Sequence, residues 1–525
     1  MQNLLSMVIR MIAMPSLAVA QTLLVLSPIA VESVNANTYS LFSADSAKGL
    51  VQTAVSAMGG EERLQAIKAL KLKGDGHTYL LEQSERPEGP WIVTYEEIAE
   101  LHDLERRMLR QTVSTRGPAA GPEITSITEG GMTFSYAAGA QARPLQSLPG
   151  DDEWIALSPE RVLLTALTSG DLHSEGDTTL QGVQHHVVGF NWQSEAVRIF
   201  INANTSLPTA IETVRAYTYD SFWGVWGDVR TRTYLSFWTL EPGGIHYPRQ
   251  WDTERNGQSY KSFAISDLAF NPVIPADSFA VPANVRQAFV SRKPTTIEER
   301  PLGRPDRPAL ELAPNVVLIP GSWNVALVRQ PDGVVVIEAP ISSGYSAKVI
   351  EEVQRRFPGA PIKAVISTSD SWPHIGGVRE YIARGVPVYA LDLNRPILER
   401  LVTAPHRIAP DLLARSPRKQ NFRIVAQKTI VGAGANRLEL YPIRTETGER
   451  MLMVYLPEHK LLYGSDLVQG AQPDGSFFMP QYLSELMNAV KREGLSINIL
   501  FAMHTGPTAW DKITAAVANA SAAPK

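Results

Sequence analysis

The sequence predicts an α/β domain from residue 311 to 525, preceded by an antiparallel β-rich domain over residues 45 to 290. In the second region, short apolar strands alternate with amphipathic helices, which is the pattern of a layered α/β domain. In the first region, β-rich segments follow one another, and Asn256-Gly257 marks a tight hairpin turn between two of them. A chain of 525 residues is longer than one growing core sustains, so more than one domain is expected.

The N-terminus carries the features of an export signal. Arg10 precedes a largely uncharged stretch over residues 11 to 31, and small residues that suit a cleavage site follow at 18 to 20 and at 34 to 36. We predict a signal peptide over residues 1 to 36 that is removed on export, so the mature protein is periplasmic or secreted and has no stable membrane span. An uncleaved membrane anchor is the alternative, because about 20 apolar residues can cross a bilayer.

The first domain is expected to be one antiparallel sheet with a helix packed on it. Apolar residues from Ala47 to Met58 follow helical spacing, and Gly59-Gly60 ends that helix. The pattern resembles the half-barrel of periplasmic lipoprotein-carrier domains. The predicted β-rich segments are Leu70 to Gly76, Trp91 to Glu97, Met108 to Ser114, Val187 to Phe190, Val197 to Ala203, Ile211 to Tyr217 and Tyr234 to Leu240.

Three tryptophans in the first domain allow two interpretations. Trp223, Trp226 and Trp238 lie in or beside β-rich segments, where aromatic residues usually supply the sheet core. We favour the core, and a cleft that binds an apolar or sugar ligand is the alternative. The proline-rich stretch after this domain, residues 291 to 310, is predicted to be a stiff linker.

The second domain begins with a strand that should be buried on both faces. Val334 to Ala339 is almost entirely apolar, as in a central strand of a covered sheet. A helix follows, capped by Ser342 or Ser343 and ended by Pro358-Gly359. The later elements are strands 362 to 366, 386 to 390, 438 to 441, 451 to 456, 461 to 463 and 497 to 501, with helices around residues 378 to 385, 397 to 401, 483 to 490 and 510 to 517.

One stretch of this domain resembles a metal-binding motif. Residues 368 to 377, Thr-Ser-Asp-Ser-Trp-Pro-His-Ile-Gly-Gly, follow a strand and match the motif Thr-His-x-His-x-Asp-His-x-Gly-Gly of the metallo-β-lactamase superfamily. Short matches at 333 to 340, 415 to 419, 451 to 457 and 461 to 466 fall in the family's order. The resemblance implies an αββα sandwich with its site on loops at the strand ends.

The resemblance also assigns the metal-ligand positions, most of which are substituted. In the motif itself the four positions read Ser369, Ser371, Pro373 and His374. The third histidine of the family's first site is replaced by Thr447. The bridging aspartate and the last histidine are retained, as Asp466 and His504.

This pattern of substitution predicts a reduced site. Hydroxyl groups are poor zinc ligands beside imidazole, so the first site should be empty. The retained His374, Asp466 and His504 have the number and kind of ligands that a mononuclear catalytic zinc uses. We therefore predict at most one zinc ion, with these three residues as its ligands and as the catalytic set. Asp370 occupies a spacer position and is expected to point away from the site.

Composition and charge exclude some classes of function. A net charge of -4, without a basic stretch interleaved with aromatics, argues against nucleic-acid binding. The absence of cysteine excludes thiolate ligands and disulfides. We predict an exported hydrolase that acts on an ester, amide or lactone-type bond of a small molecule. The alternative is a non-catalytic member of the fold that binds a ligand or partner, and the oligomeric state is left open.

Overall fold

The computed structural model describes most of the chain after residue 43. The predicted signal peptide lies outside the described residues. Residues 42 to 525 form one compact unit, and no helix within its described part has the length and apolar character needed to cross a membrane. The described ranges are 44 to 81, 86 to 117, 121 to 139, 141 to 149, 157 to 290, 294 to 470, 477, and 479 to 522.

Thirteen strands of the described chain form one antiparallel sheet. Their order across the sheet is β6-β5-β4-β3-β2-β1-β13-β12-β11-β10-β9-β8-β7, so the first and last strands of the region pair at its middle. The strands are β1 Ala69–Tyr79, β2 Val93–Asp103, β3 Met108–Arg116, β4 Ile124–Glu129, β5 Met132–Ala137, β6 Arg143–Pro149, β7 His173–Leu180, β8 Val183–Trp192, β9 Glu195–Asn202, β10 Pro208–Ala216, β11 Asp228–Glu241, β12 Ile245–Arg255 and β13 Gln258–Phe270.

The predicted hairpin joins β12 to β13. Arg255 pairs with Gln258, so Asn256 and Gly257 form a two-residue turn. Both have a left-handed backbone, with φ of 49° and 81°. A type I′ turn requires this conformation, and Asn-Gly adopts it at little cost.

Helices cover one face of this sheet. Helix Ala44–Met58 and helix Pro159–Thr168 bury Val51, Met58 and Val162 against strand residues such as Ile199 and Tyr247. The other α-helices among the described residues of this region are Glu61–Gln65 and Ala283–Val290. The predicted single antiparallel sheet with a packed helix is therefore confirmed. Strands β4 to β7 were not predicted, because their alternating polar side chains give little apolar signal.

The second half contains two further sheets. One has the order β14-β15-β16-β17-β18-β19-β20 and the other β21-β22-β23-β24-β25-β26. Their strands are β14 Leu310–Ala313, β15 Val316–Ile319, β16 Val325–Gln330, β17 Gly333–Ile337, β18 Ile362–Ile366, β19 Val388–Leu391, β20 Phe422–Val425, β21 Thr429–Val431, β22 Leu438–Pro442, β23 Leu452–Leu456, β24 Leu461–Tyr463, β25 Ile499–Phe501 and β26 Thr508–Ala509.

The helices of this half follow the strands as predicted. Ser342 caps the first one, since its hydroxyl accepts a hydrogen bond from the backbone N–H of Tyr345. The preceding strand ends before the predicted Ala339 because Glu338 takes a positive φ of 81°. The helices are Ser343–Arg356, Trp372–Ile375, Val378–Ala383, Arg395–Thr403, Leu412–Arg415, Pro480–Arg492 and Trp510–Ala522.

Alternating burial along β17 shows how the layers stack. Val335 and Ile337 contact the second sheet through residues such as Leu440, while Val334 and Val336 pack under the helices on the other face. A separate core lies between the second sheet and the last two long helices. The order of layers is therefore helix, sheet, sheet, helix. This confirms the predicted αββα metallo-β-lactamase-like sandwich.

The two halves share a core. Trp223 and Trp226 are buried against Trp372 of the sandwich, with ring centroids 4.8 and 4.9 Å apart. Trp238, by contrast, packs on the sheet's own core. The three tryptophans thus contribute to cores, as favoured, but Trp223 and Trp226 do so between the halves and also line a cleft there. In the proline-rich stretch, Ile297 is buried and its N–H donates to the Thr218 carbonyl at 2.8 Å. The boundaries at 290 and 311 remain predictions.

Candidate metal centre

The substituted motif is anchored where three strands end. The hydroxyl of Thr368, just after β18, donates to the carboxyl of Glu338, just after β17. It also contacts the Ser465 hydroxyl after β24 at 2.8 Å, and Ser465 donates to the Thr368 carbonyl at 3.1 Å. All three side chains are fully buried. This hydrogen-bonded cluster ties the two sheets together beneath the candidate site.

The three retained ligand residues converge above this cluster. Their nearest donor atoms, from His374, Asp466 and His504, all lie within 4.8 Å of one another. The Nε2 atom of His504 is 3.1 Å from one carboxylate oxygen of Asp466, and Nε2 of His374 is 3.7 Å from the other. Within the described residues this is the group of at least three His, Cys, Asp or Glu side chains placed closely enough to hold a metal ion.

Burial and neighbouring groups set the protonation states of His374 and Asp466. Burial lowers the pKa of His374 to about 4, so its imidazole is neutral at neutral pH. Burial also favours the neutral carboxyl of Asp466, but the two neighbouring imidazoles and the amide of Gln469 outweigh it and hold its pKa at about 2. A neutral imidazole and an ionised carboxylate are the forms that bind a metal ion.

Two polar residues outside the motif position the ligand loops. The side-chain amide of Asn324 donates to the carbonyls of Ala502 and Thr505, at 2.8 and 3.3 Å, on either side of His504. Gln469 donates to both the backbone and the side-chain oxygen of Asp466, at 2.7 and 3.0 Å. The sequence analysis did not identify either residue, because only their tertiary contacts connect them to the site.

The substituted positions line the same cavity. Ser369, Ser371, Pro373 and Thr447 surround a space of about 440 Å³ together with the three converging residues. Glu485 fixes the turn at Thr447, because its carboxylate accepts the backbone N–H of Thr447 at 3.0 Å. The cavity volume is in the range of sites that bind small molecules.

Asp370 lies in the lining of the same cavity, and its side chain is only 13% exposed. Burial raises its pKa to about 7, although the guanidinium of Arg450, 3.9 Å away, lowers it in part. Among the described residues, the close group of possible metal ligands is His374, Asp466 and His504, and Asp370 is not part of it. The expectation that its side chain points away from the site stays a prediction.

The β-rich half closes one side of the cavity with apolar side chains. Leu81, Pro87, Ile92 and Phe222 line it from that half, opposite the ligand loops. Two ion pairs join the halves beside this apolar wall: Arg86 binds the Glu449 carboxylate at 2.7 Å, and Arg450 binds Glu88 at 2.8 Å. A molecule in the cavity would therefore contact both halves of the protein.

The residues fit one metal ion and not two. Two imidazoles and one carboxylate form a mononuclear zinc donor set, and tetrahedral bonds of about 2 Å place the donor atoms about 3.3 Å apart. The donor atoms lie within 4.8 Å of one another, so side-chain movements of about 1.5 Å would bring them to that separation. At the substituted positions, Ser369, Ser371 and Thr447 offer hydroxyl groups, which are weak zinc ligands.

Comparison with solved structures finds proteins that are similar to part of this chain. A sec-alkylsulfatase from a Pseudomonas species matches with 15% identity and a TM-score of 0.32, over 42% of this chain and 40% of that one. A metallo-β-lactamase from Pontibacter korlensis matches with 15% identity and a TM-score of 0.31, over 41% of this chain and 99% of that one. A metallo-β-lactamase from Hirschia baltica matches with 15% identity and a TM-score of 0.31, over 40% of this chain and 97% of that one.

These values do not decide what the chain does. The TM-scores lie below 0.5, and the alkylsulfatase is matched over less than half of its length. No protein-family model and no curated protein matches the sequence. The fold is shown by the layers of the sandwich, and the chemistry depends on the residues in the cavity.

Proposed function

We propose that this protein is an exported hydrolase with a single zinc ion held by His374, Asp466 and His504. The observation that supports it is the convergence of these three side chains, with donor atoms within 4.8 Å, from loops far apart in sequence. The convergence of two imidazoles and a carboxylate in one cavity supports metal binding, because burying such groups costs free energy unless they bind something.

The remaining cavity residues suit hydrolysis of an ester, amide or lactone-type bond. A zinc ion held by His374, Asp466 and His504 would supply a bound water of lowered pKa and a Lewis acid for a carbonyl. Asp370, with a pKa of about 7, can hold a proton near neutral pH and pass it to a leaving group in the same cavity. Ser369 and Ser371 can donate hydrogen bonds to a polar part of the substrate.

The apolar wall indicates the kind of substrate. Phe222, Ile92 and Leu81 offer contact area to a hydrocarbon or aromatic group, and their contact with it would exclude water from that side. We infer a small substrate that carries an apolar group next to the bond that is cleaved. Phe222→Ala should then raise KM for substrates with a medium-length acyl chain and leave short-chain substrates nearly unchanged.

Zinc content of the purified mature protein tests the proposal. We expect one zinc per wild-type chain after dialysis, none in His504→Ala, and one in Thr447→Ala. Removal of one of three strong donors leaves too few for a tight site, whereas the Thr447 hydroxyl is no competent donor. Circular dichroism of all three proteins controls for folding.

Activity is then measured on the same proteins. A panel of p-nitrophenyl esters, a lactone and a chromogenic β-lactam covers the proposed bond types, and His504→Ala should lose the activity that the wild type shows. Two zinc ions per chain would contradict the reduced site.

The alternative is a non-catalytic member of the fold. Its support is the loss of four family ligand positions, at which Ser369, Ser371, Pro373 and Thr447 now stand. A wild-type protein that holds no zinc and hydrolyses none of the panel would favour this alternative over the hydrolase.

A further inference from the structure

A second cleft lies where the two halves meet. It has a volume of about 520 Å³ and is separate from the metal-site cavity except for Trp372, which lines both. Strand β11 and the end of β12 form one side, and the segment from Arg400 to Arg407 forms the other. The cleft is large enough for a small organic molecule.

The charge of this cleft is strongly positive. Four arginines line it, Arg230, Arg255, Arg400 and Arg407, against a single carboxylate, that of Asp228. Asp228 already accepts hydrogen bonds from the backbone N–H groups of Arg407 and Ile408, at 2.9 and 3.0 Å, so its charge is engaged in holding the loop.

Two of the arginines are not neutralised by ion pairs. Neither Arg400 nor Arg407 has a carboxylate at ion-pair distance in the part of the chain that the structure describes. The carboxylate of Glu88 interacts electrostatically with Arg400, but it already forms an ion pair with Arg450 at 2.8 Å. Arg230 is 3.9 Å from Glu212. The cleft therefore has guanidinium groups available for an anion.

Aromatic rings hold two of the guanidinium planes in place. Arg255 lies over the rings of Tyr217, Trp223 and Tyr260, at 4.3 to 4.7 Å from their centroids. Arg400 lies 5.6 Å from the centroid of Trp226. A stacked guanidinium is oriented in advance, and the N–H groups of Arg400 are in this way positioned for a planar anion such as a carboxylate or phosphate.

A donor of one aromatic residue is also unused. The indole nitrogen of Trp226, one of the lining residues, has no hydrogen-bond partner among the described residues. The amide side chains of Asn256 and Gln258 lie in the same lining. The cleft thus combines cationic groups, neutral hydrogen-bond donors and aromatic surface.

We propose that this cleft binds a small organic anion, in which a carboxylate or a phosphate ester is attached to an aromatic or apolar body. The anionic group contacts Arg400 and Arg407, and the body packs on Trp226 and Trp372. Because Trp226 and Trp372 line the cleft, their fluorescence reports on binding directly. The proposal does not depend on zinc or on hydrolysis.

Titration of the purified chain with simple probes tests this. We expect phenyl phosphate or benzoate to quench tryptophan fluorescence and to release or absorb heat in calorimetry, and benzyl alcohol and inorganic phosphate to bind at least about tenfold more weakly. The Arg400→Gln, Arg407→Gln double variant should lose about tenfold in affinity for each arginine that makes a charge-assisted hydrogen bond.

Arg395→Gln is the matched control. Arg395 is an exposed arginine at the start of the helix that carries Arg400, and it is paired with Glu399 at 2.8 Å outside the cleft lining. Its substitution should leave the affinity unchanged. Preference for phenyl phosphate or for benzoate would assign the anionic group. Equal binding of benzyl alcohol, an unchanged affinity in the double variant, or no binding of either anion would overturn the proposal.

Discussion

Substitution of Glu338 by glutamine is expected to remove a pH dependence of stability. The side chain is fully buried, and burial raises its pKa from 4.5 to about 8. Between these values the folded chain holds a proton that the unfolded chain has released, so the free energy of unfolding falls as pH rises. At about 1.36 kcal/mol per pH unit, the loss from about pH 5 to about pH 7 is about 2.7 kcal/mol.

The glutamine side chain has the shape of the protonated acid and does not titrate. The stability of Glu338→Gln relative to the wild type should therefore increase by about 2.7 kcal/mol over the same interval. Urea unfolding followed by tryptophan fluorescence, repeated at several pH values, measures the difference.

Glu439→Gln serves as the control. Burial favours the neutral form of Glu439, but hydrogen bonds from Tyr441 and Lys428 outweigh it and lower its pKa. Its stabilising contribution is present above the unfolded pKa and is lost only as pH falls further. The difference curve for this variant should be flat from about pH 5 to about pH 7. A curve for Glu338→Gln that is equally flat would refute the assignment of a neutral acid beneath the site.

Three further changes test the site and its surroundings. Asn324→Ala should weaken zinc binding by about tenfold or more, because Asn324 anchors the loop of His504; competition with a chelator measures this, and an unchanged affinity would show that the anchor is dispensable. Trp372→Ala should lower the free energy of unfolding by about 3 to 5 kcal/mol, since it empties the core shared by the two halves; urea unfolding with a much smaller loss would contradict that packing. Arg450→Gln should move the pKa of Asp370 further above about 7, because the guanidinium lowers it; carboxyl NMR that shows no upward shift would exclude this influence.

The regular elements of the sandwich were predictable because local periodicity determines them. The strand over 362 to 366 has its predicted bounds, since an apolar run between turn signals can only be a short buried strand or helix and Pro358-Gly359 precedes it. Strand β20 was not predicted, because its stability comes from pairing with β19. Strands β15 and β16 were not predicted either, although they are largely apolar.

The candidate site was likewise predictable from the sequence only in part. Matches to a motif place His374, Asp466 and His504 after strands, and the ends of neighbouring strands in a sandwich meet at one edge. Periodicity contains no information about which way a side chain on a turn points, so only the tertiary structure shows that Asp370 is buried in the lining of the cavity.

The sequence by itself therefore determined the layered fold of the second half and the antiparallel sheet of the first, and it named His374, Asp466 and His504 as candidate ligands. Only the tertiary structure decided that the β-rich half closes the cavity through Phe222, and that Trp223 and Trp226 pack on Trp372. The physical reason is the separation along the chain of the residues that interact. Helix and strand preferences act between residues a few positions apart, whereas these contacts join residues about 150 positions apart, and only burial of both surfaces together brings them into contact.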